Sequence, residues 1–374
     1  KMQKSYRKHQ EPFEKTSFKY EIKSEQSIKC VKDGLTHFKK HISNVLINCP
    51  DIKCVHLIDN GVESIYKALI SNDDEPISSF QYYHFIIKEN DNNYQEYIVL
   101  KEAIDESNRD SGLKEDGEEA KDESNKINIS VEIDTRDKDH MQIVPRDNDT
   151  ESIYTRFPLI GSKEHRLPFS INAPKFETTT ERNALILNEV ESLNGEKTST
   201  QINRSILMKS IDLFARIINI FKENNYLNIH ELSYGLNLLS SPYLSFDLMW
   251  YKNTFLPKIR ASLAENINLK TFDGKDVLLE KIYFPKNEIE NIDLFIELAS
   301  KFYNEVICKE DYLIWKDRTW ETLNFISIEN LISKVENNSE LVKEENLTYL
   351  NKFLLFLNEA KMTDFLYKHS LIPN

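Results

Sequence analysis

Residues 53–70 read KCVHLIDNGVESIYKALI, and the centre of that stretch decides the architecture. Asp59-Asn60-Gly61 sits between two runs rich in β-branched and aromatic residues. An Asn-Gly pair placed there is the strongest short hairpin signal, because both residues accept positive φ at little cost. The pattern predicts strands over 53–58 and 65–70 joined by a tight turn. Working downstream, strands are expected over 81–88 and 94–100, joined by Glu-Asn-Asp-Asn-Asn. Upstream, Ile28, Val31, Leu35, Phe38, Ile42 and Val45 recur at steps of three and four, which is one face of a helix over 26–46. Ser24 or Ser27 can cap its start, and Pro50 lies beyond its end.

Further on, Ile127, Ile129, Val131 and Ile133 alternate with polar residues, the period of a strand with one buried face. More strands are expected over 141–144, 152–157 and 167–171. Residues 101–126 are acidic, nearly free of apolar side chains and without period, and read as a disordered insertion between strands. The pattern changes after about residue 198. Ile202, Ile206, Leu207, Ile211, Phe214, Ile217, Ile218 and Phe221 describe a long amphipathic helix. Helix is expected over 229–263 with breaks at Pro242 and Pro257, and again over 288–307, 328–336, 343–359 and 362–369. A hairpin is expected around Asp273-Gly274, between 269–272 and 277–283. The fold class is therefore α+β, with three segments: a polar arm over 1–22, a strand-rich α/β half over 23–197, and a mainly helical half over 198–374 that carries a small hairpin near 267–284.

Of the 374 residues, 40% are hydrophobic, enough to build sizeable cores. The formal charge of −13 and the lack of a basic stripe argue against nucleic acid as a partner. Cys30, Cys49, Cys54 and Cys308 are irregularly spaced, which fits neither a disulfide framework nor a zinc site and suits a reducing, cytoplasmic setting. No apolar run is long enough to span a bilayer. The first residue is Lys and the first fifteen residues are polar, so the chain is read as a piece of something longer or the product of an internal start.

The motifs that could carry chemistry mostly dissolve. Gly112 and Gly117 have the offset of a phosphate loop, but Glu118 stands where its lysine belongs. His230-Glu231 begins like a zinc-protease helix, yet Tyr234 occupies the second histidine position. His37 and His41 sit four apart on the first helix with no third ligand evident. Glu132, Asp134 and Lys138 could be forced into a metal-nuclease pattern, but exposed positions of an edge strand describe them better.

One stretch is more specific. Arg156-Phe-Pro-Leu-Ile-Gly-Ser162 is followed by His165-Arg-Leu-Pro-Phe-Ser-Ile-Asn-Ala173, by Phe176-Glu177 and by Thr180-Glu-Arg-Asn-Ala-Leu185. This block resembles the one that follows the ATP-binding domain in the sacsin-type subfamily of GHKL (Bergerat) ATPases. It is also similar to a block in the middle segment of the heat-shock protein 90 chaperones. The resemblance covers most of residues 20–374, with its motif content in 154–187. It implies that 23–197 is a middle, transducer-like domain. It also implies that Arg182 reaches the γ-phosphate of ATP, whose nucleotide and magnesium are held by a preceding domain, with Lys175 and Asn183 beside it. An arginine suits that task because its planar, permanently charged fork donates bidentately to phosphate oxygens.

The ATP-binding motifs themselves are missing from this chain: Asp59-Asn60-Gly61 lacks the upstream Asn-bearing helix and the downstream glycine-rich lid. Without a preceding domain, supplied in cis or in trans, no ATP hydrolysis is expected. The resemblance implies a chaperone-like role, coupling nucleotide state to movement and to binding of other proteins, with homodimerisation and a place in bacterial phage defence among its expectations. Two other readings remain open from the residues: a non-catalytic protein-interaction module, and, more weakly, a metal-dependent nuclease.

Overall fold

The structure is a computed structural model that describes residues 22–71, 81–90, 93–104, 125–188, 197–236, 248–286, 289–338, 341, 343 and 346–362. The arm over 1–21, residues 105–124 of the acidic insertion, Pro242 and the helix expected beyond 362 lie outside the described residues. The chain divides into two compact units, Lys1–His41 and Ile42–Asn374.

Helix α1 spans Glu25–Asn48 and starts as its sequence dictates. The Ser24 hydroxyl accepts the Ser27 N–H at 3.2 Å, which satisfies one of the free donors of the first turn. Within the first unit, Ile28, Val31 and Phe38 are exposed, and the rings of His37 and His41 lie 4.3 Å apart.

The second unit is built on a nine-stranded sheet. Strands β1 (Cys54–Asp59), β2 (Val62–Ser71), β3 (Gln81–Glu89), β4 (Asn93–Ala103) and β5 (Lys126–Asp134) form an antiparallel meander. Asp59 pairs with Val62 across the first turn, with φ 52° at Asn60 and 83° at Gly61, so the Asn-Gly pair does what its chemistry allows. On the far side of β5 lie β6 (Gln142–Ile143), β7 (Ile153–Thr155), β8 (Phe157–Pro158) and β9 (Ser170–Asn172). β9 pairs antiparallel with β5 and parallel with β7, and β7 pairs with β8.

Around β4 and β5 the sheet is covered on both faces, and the period-2 alternation of β4 shows how. Tyr97 and Val99 join Ile42, Leu46 and Ile47 of α1 in one cluster, while Ile98 and Leu100 join the larger one. β5 lies inside the sheet, which overturns the edge-strand expectation for Glu132 and Asp134, while Lys138 is exposed beyond its end. Asn128 and Ser130 are buried, the Ser130 hydroxyl donates to Asn44 at 3.4 Å, and Glu132 accepts from Tyr97 and Gln95, each at 3.2 Å. Burial pushes the Glu132 carboxyl above its ordinary range.

Helix α2 (Ser199–Glu223) packs on the other face. Thr198 and Gln201 close a capping box at its start. Phe214 lies 5.0 Å from Phe169, ring to ring, joining the helix to the segment that leads into β9. A single turn, α3 (Leu248–Trp250), widens through a π turn at Tyr251–Phe255 into α4 (Leu256–Ala264). Pro257 therefore does not break the helix as expected. It sits in the first turn of α4, where a missing N–H costs little.

The hairpin around Gly274 joins β10 (Asn268–Lys270) to β11 (Asp276–Leu278). Tyr283 does not extend that hairpin: β12 (Tyr283–Pro285) pairs in parallel with β13 (Asn324–Ile326). Helices α5 (Ile292–Ser300), α6 (Lys309–Trp315), α7 (Ile328–Glu336) and α8 (Leu347–Glu359) complete the described part. The helix expected over 288–307 is shorter, and α6 was not foreseen. One apolar cluster runs from Ile98 to Leu357, so the strand-rich and helical halves share a core. The architecture is α+β with a mainly helical C-terminal half. No described helix is long and apolar enough to cross a membrane.

Candidate functional site

The motif block folds into two loops that meet at one end of the sheet. The first runs from β7 through β8 to the short 3-10 turn Ser162–His165. It is held from beneath by Glu151, which is buried. One carboxylate oxygen of Glu151 accepts the Gly161 N–H at 2.9 Å; the other accepts the Lys163 N–H at 2.7 Å and the Ser162 hydroxyl at 3.1 Å. A carboxylate over the free N–H groups of a turn is a strong, charge-assisted cap. Ser162 Oγ also accepts the backbone N–H of Ile153 at 3.0 Å. The Gly-Ser pair of the motif thus has a structural role: it ties the loop to β7.

The second loop is a tight hairpin. Thr178 bridges to Leu185, and the Arg182 N–H closes the turn onto the Thr179 carbonyl at 2.9 Å. Asn203 of α2, fully buried, clamps its stem. The Asn203 amide donates to the carbonyls of Glu177 and Ile186 at 2.7 and 2.9 Å and accepts the Glu177 N–H at 2.8 Å. The Asn203 side chain thereby supplements the backbone pairing of the stem, in which the Ile186 N–H donates to the Glu177 carbonyl at 3.2 Å.

Each residue singled out by the resemblance has a distinct environment. Arg182 is exposed at the loop tip with φ 54°, and its Nη2 donates to Thr155 Oγ1 at 3.0 Å. The left-handed region costs a residue such as arginine about 1 kcal/mol, a strain that clusters at functional sites. Asn183 works locally: its Oδ1 accepts the Thr179 hydroxyl at 2.8 Å. Lys175 has its own anchor, donating from Nζ to Asn125 at 2.6 Å. The structure therefore brings Arg182 and Asn183 together, and ties Lys175 to the start of β5.

Arg156 stands between β7 and β8, a surface charge at a strand end as its place in the sequence suggests. It too is exposed and left-handed, with φ 72°. Its N–H donates to the buried Asn172 at 2.7 Å, and its carbonyl accepts the Cys49 thiol at 3.3 Å. Burial pushes the Cys49 thiol up, which keeps it a donor. The two loops touch: a side chain on Gly161 would stand 3.5 Å from the Asn183 carbonyl. Their common surface presents two guanidinium groups with exposed Phe157 and Ile160 beside them.

The other motifs take their bland readings. Asp59-Asn60-Gly61 is a hairpin turn, and His230-Glu231 lies in the 3-10 turn Ile229–Ser233 with an ion pair of 3.1 Å between the two. All four cysteines are free. Among the described residues, no group of three His, Cys, Asp or Glu is placed to hold a metal ion. No family model matches the chain, and no curated protein or solved structure shows significant similarity to it.

Proposed function

We propose that the chain is the segment that follows the ATP-binding domain in a sacsin-type, chaperone-like ATPase, and that it couples the nucleotide state of that domain to movement and partner binding. The observation that carries this reading is Arg182, exposed at the tip of a loop whose stem is clamped by Asn203 of α2. Thr155 takes one of the guanidinium donors, and the rest are free to grip a phosphate presented from outside. In phosphoryl transfer such a group stabilises charge that develops on the transferring phosphate. ATP and magnesium would be held by the preceding domain. The exposed apolar pair Phe157 and Ile160 on the adjoining loop suits docking of a protein surface next to that contact.

This reading predicts that the purified chain alone turns over no ATP and that activity appears with the preceding domain attached. In that longer protein, Arg182→Ala lowers kcat roughly 10²–10³-fold, the scale for removing one group that stabilises transition-state charge. A variant with unaltered kcat would remove Arg182 from the mechanism. The interaction-module reading is favoured instead if the longer protein binds no nucleotide.

A further inference from the structure

A second arginine site lies apart from the Arg182 loop, in a cleft of about 190 Å³ between the turn ending at Arg166, the Ile229–Ser233 turn and the residues that follow α6. Its wall is under conformational constraint. Arg166 is left-handed with φ 49°, and Gly235 has φ 69°. A Cβ on Gly235 would fall 2.5 Å from the Arg166 carbonyl oxygen, so only glycine allows these two segments to meet. Strained backbone that converges on a cleft is a pointer to function.

The charges lining the cleft are mostly spoken for. Glu231 accepts from Arg318 at 2.7 Å and pairs with His230 at 3.1 Å. Asp317 has Lys316 at 3.9 Å. The Oδ1 of Asn148 accepts the Tyr234 hydroxyl at 2.6 Å, which leaves the Asn148 amide nitrogen as a donor. Beside the Asp317 carboxylate, which stands too far from Lys316 for a hydrogen bond, what remains is the Arg166 guanidinium, the remaining N–H groups of Arg318 and the Asn148 amide, three sources of donors. Burial raises the pKa of the Tyr234 hydroxyl; Arg146 and, less, Arg166 lower it, and Asp147 and Asp149 raise it.

From this donor set and the size of the cleft we infer that it is a binding site for a single phosphoryl group, held between Arg166 and Arg318 with Asn148 at its rim. Guanidinium forks match the geometry of a tetrahedral oxyanion. The volume falls below the roughly 300–1,000 Å³ of pockets that enclose whole small molecules, so the cleft fits one charged group rather than a nucleotide. The phosphoryl group can be a free ion or one carried on a side chain, and both present the same oxygens. This site is independent of the nucleotide contact assigned to Arg182.

Titration calorimetry on the full chain tests it, with inorganic phosphate and O-phosphoserine as separate probes and sodium chloride at matched ionic strength as the blank. Saturable binding of at least one probe is expected. Arg166→Asn, which tolerates the left-handed backbone, should weaken it roughly tenfold or more. Asn148→Asp keeps an acceptor for Tyr234 but places a negative charge at the rim, and should weaken binding comparably. Tighter binding of O-phosphoserine identifies a side-chain phosphate as the ligand; equal affinity identifies the free ion. The inference is overturned if neither probe binds saturably, or if both Arg166→Asn and Asn148→Asp bind like the parent chain.

Discussion

Individual residues in this molecule are held by partners that their sequence neighbours do not disclose. Gly235 is one. Replacing it with Ala drives a methyl into the Arg166 backbone and keeps a positive φ that alanine resists, so Gly235→Ala should destabilise by about 2 kcal/mol or more. A denaturant midpoint equal to that of the parent chain would contradict the close approach. His165 is another. It is buried, and burial holds its pKa down to about 4 from an ordinary 6.5, against a smaller upward effect of its bond to the Ser162 carbonyl. The unfolded chain therefore takes up the proton first. Stability is fully present above pH 6.5 and is lost as the pH falls toward 4, by about 3 kcal/mol in all. Thermal unfolding across that range should show a shallower pH dependence in His165→Gln than in the parent, and parallel curves would refute the assignment. Little of this was legible beforehand. Arg182 stood out through the motif block, and Gly235 was visible as one glycine among eight. Glu151 and Asn203 carry no local signature, because what defines them is a partner ten or more residues away.

At the level of elements, legibility followed locality. The Asn60-Gly61 hairpin, α1 and α2 were all readable, since turn chemistry and helical period are written in consecutive residues. The pairing of β12 with β13 was not, because its partners belong to segments separated by α5 and α6. The position of β5 was misjudged for a related reason: alternation reports one apolar face but not whether the other is covered by a helix. The most informative element-level contact is the clamp between α2 and the Arg182 loop. Asn203→Leu leaves the Glu177 N–H and the Ile186 carbonyl of that loop without their partner in a buried setting, at a cost of about 3 kcal/mol. If the loop and α2 move as one, the same variant should increase amide exchange at 177–186 more than in β4. Equal exchange in both places would argue against the coupling.

At the level of the whole chain, the shared core decides what can be separated. The cluster from Ile98 to Leu357 crosses the junction at 197–198 without a gap, and Phe169 meets Phe214 across it. Polypeptides ending at residue 197 or beginning at 198 should each fail to show a cooperative unfolding transition, whereas residues 42–374 should show one. Two independent transitions from the separated pieces would overturn that view. The same continuity bears on how the protein is made. A ribosome adding roughly 5–20 residues each second releases the sheet well before α2, and α2 well before α8. In that interval the face of β5 bearing Ile127, Ile129 and Val131 has nothing to lie against. The nascent chain must wait, with that apolar face open to any holding factor, until α2 has emerged to cover it.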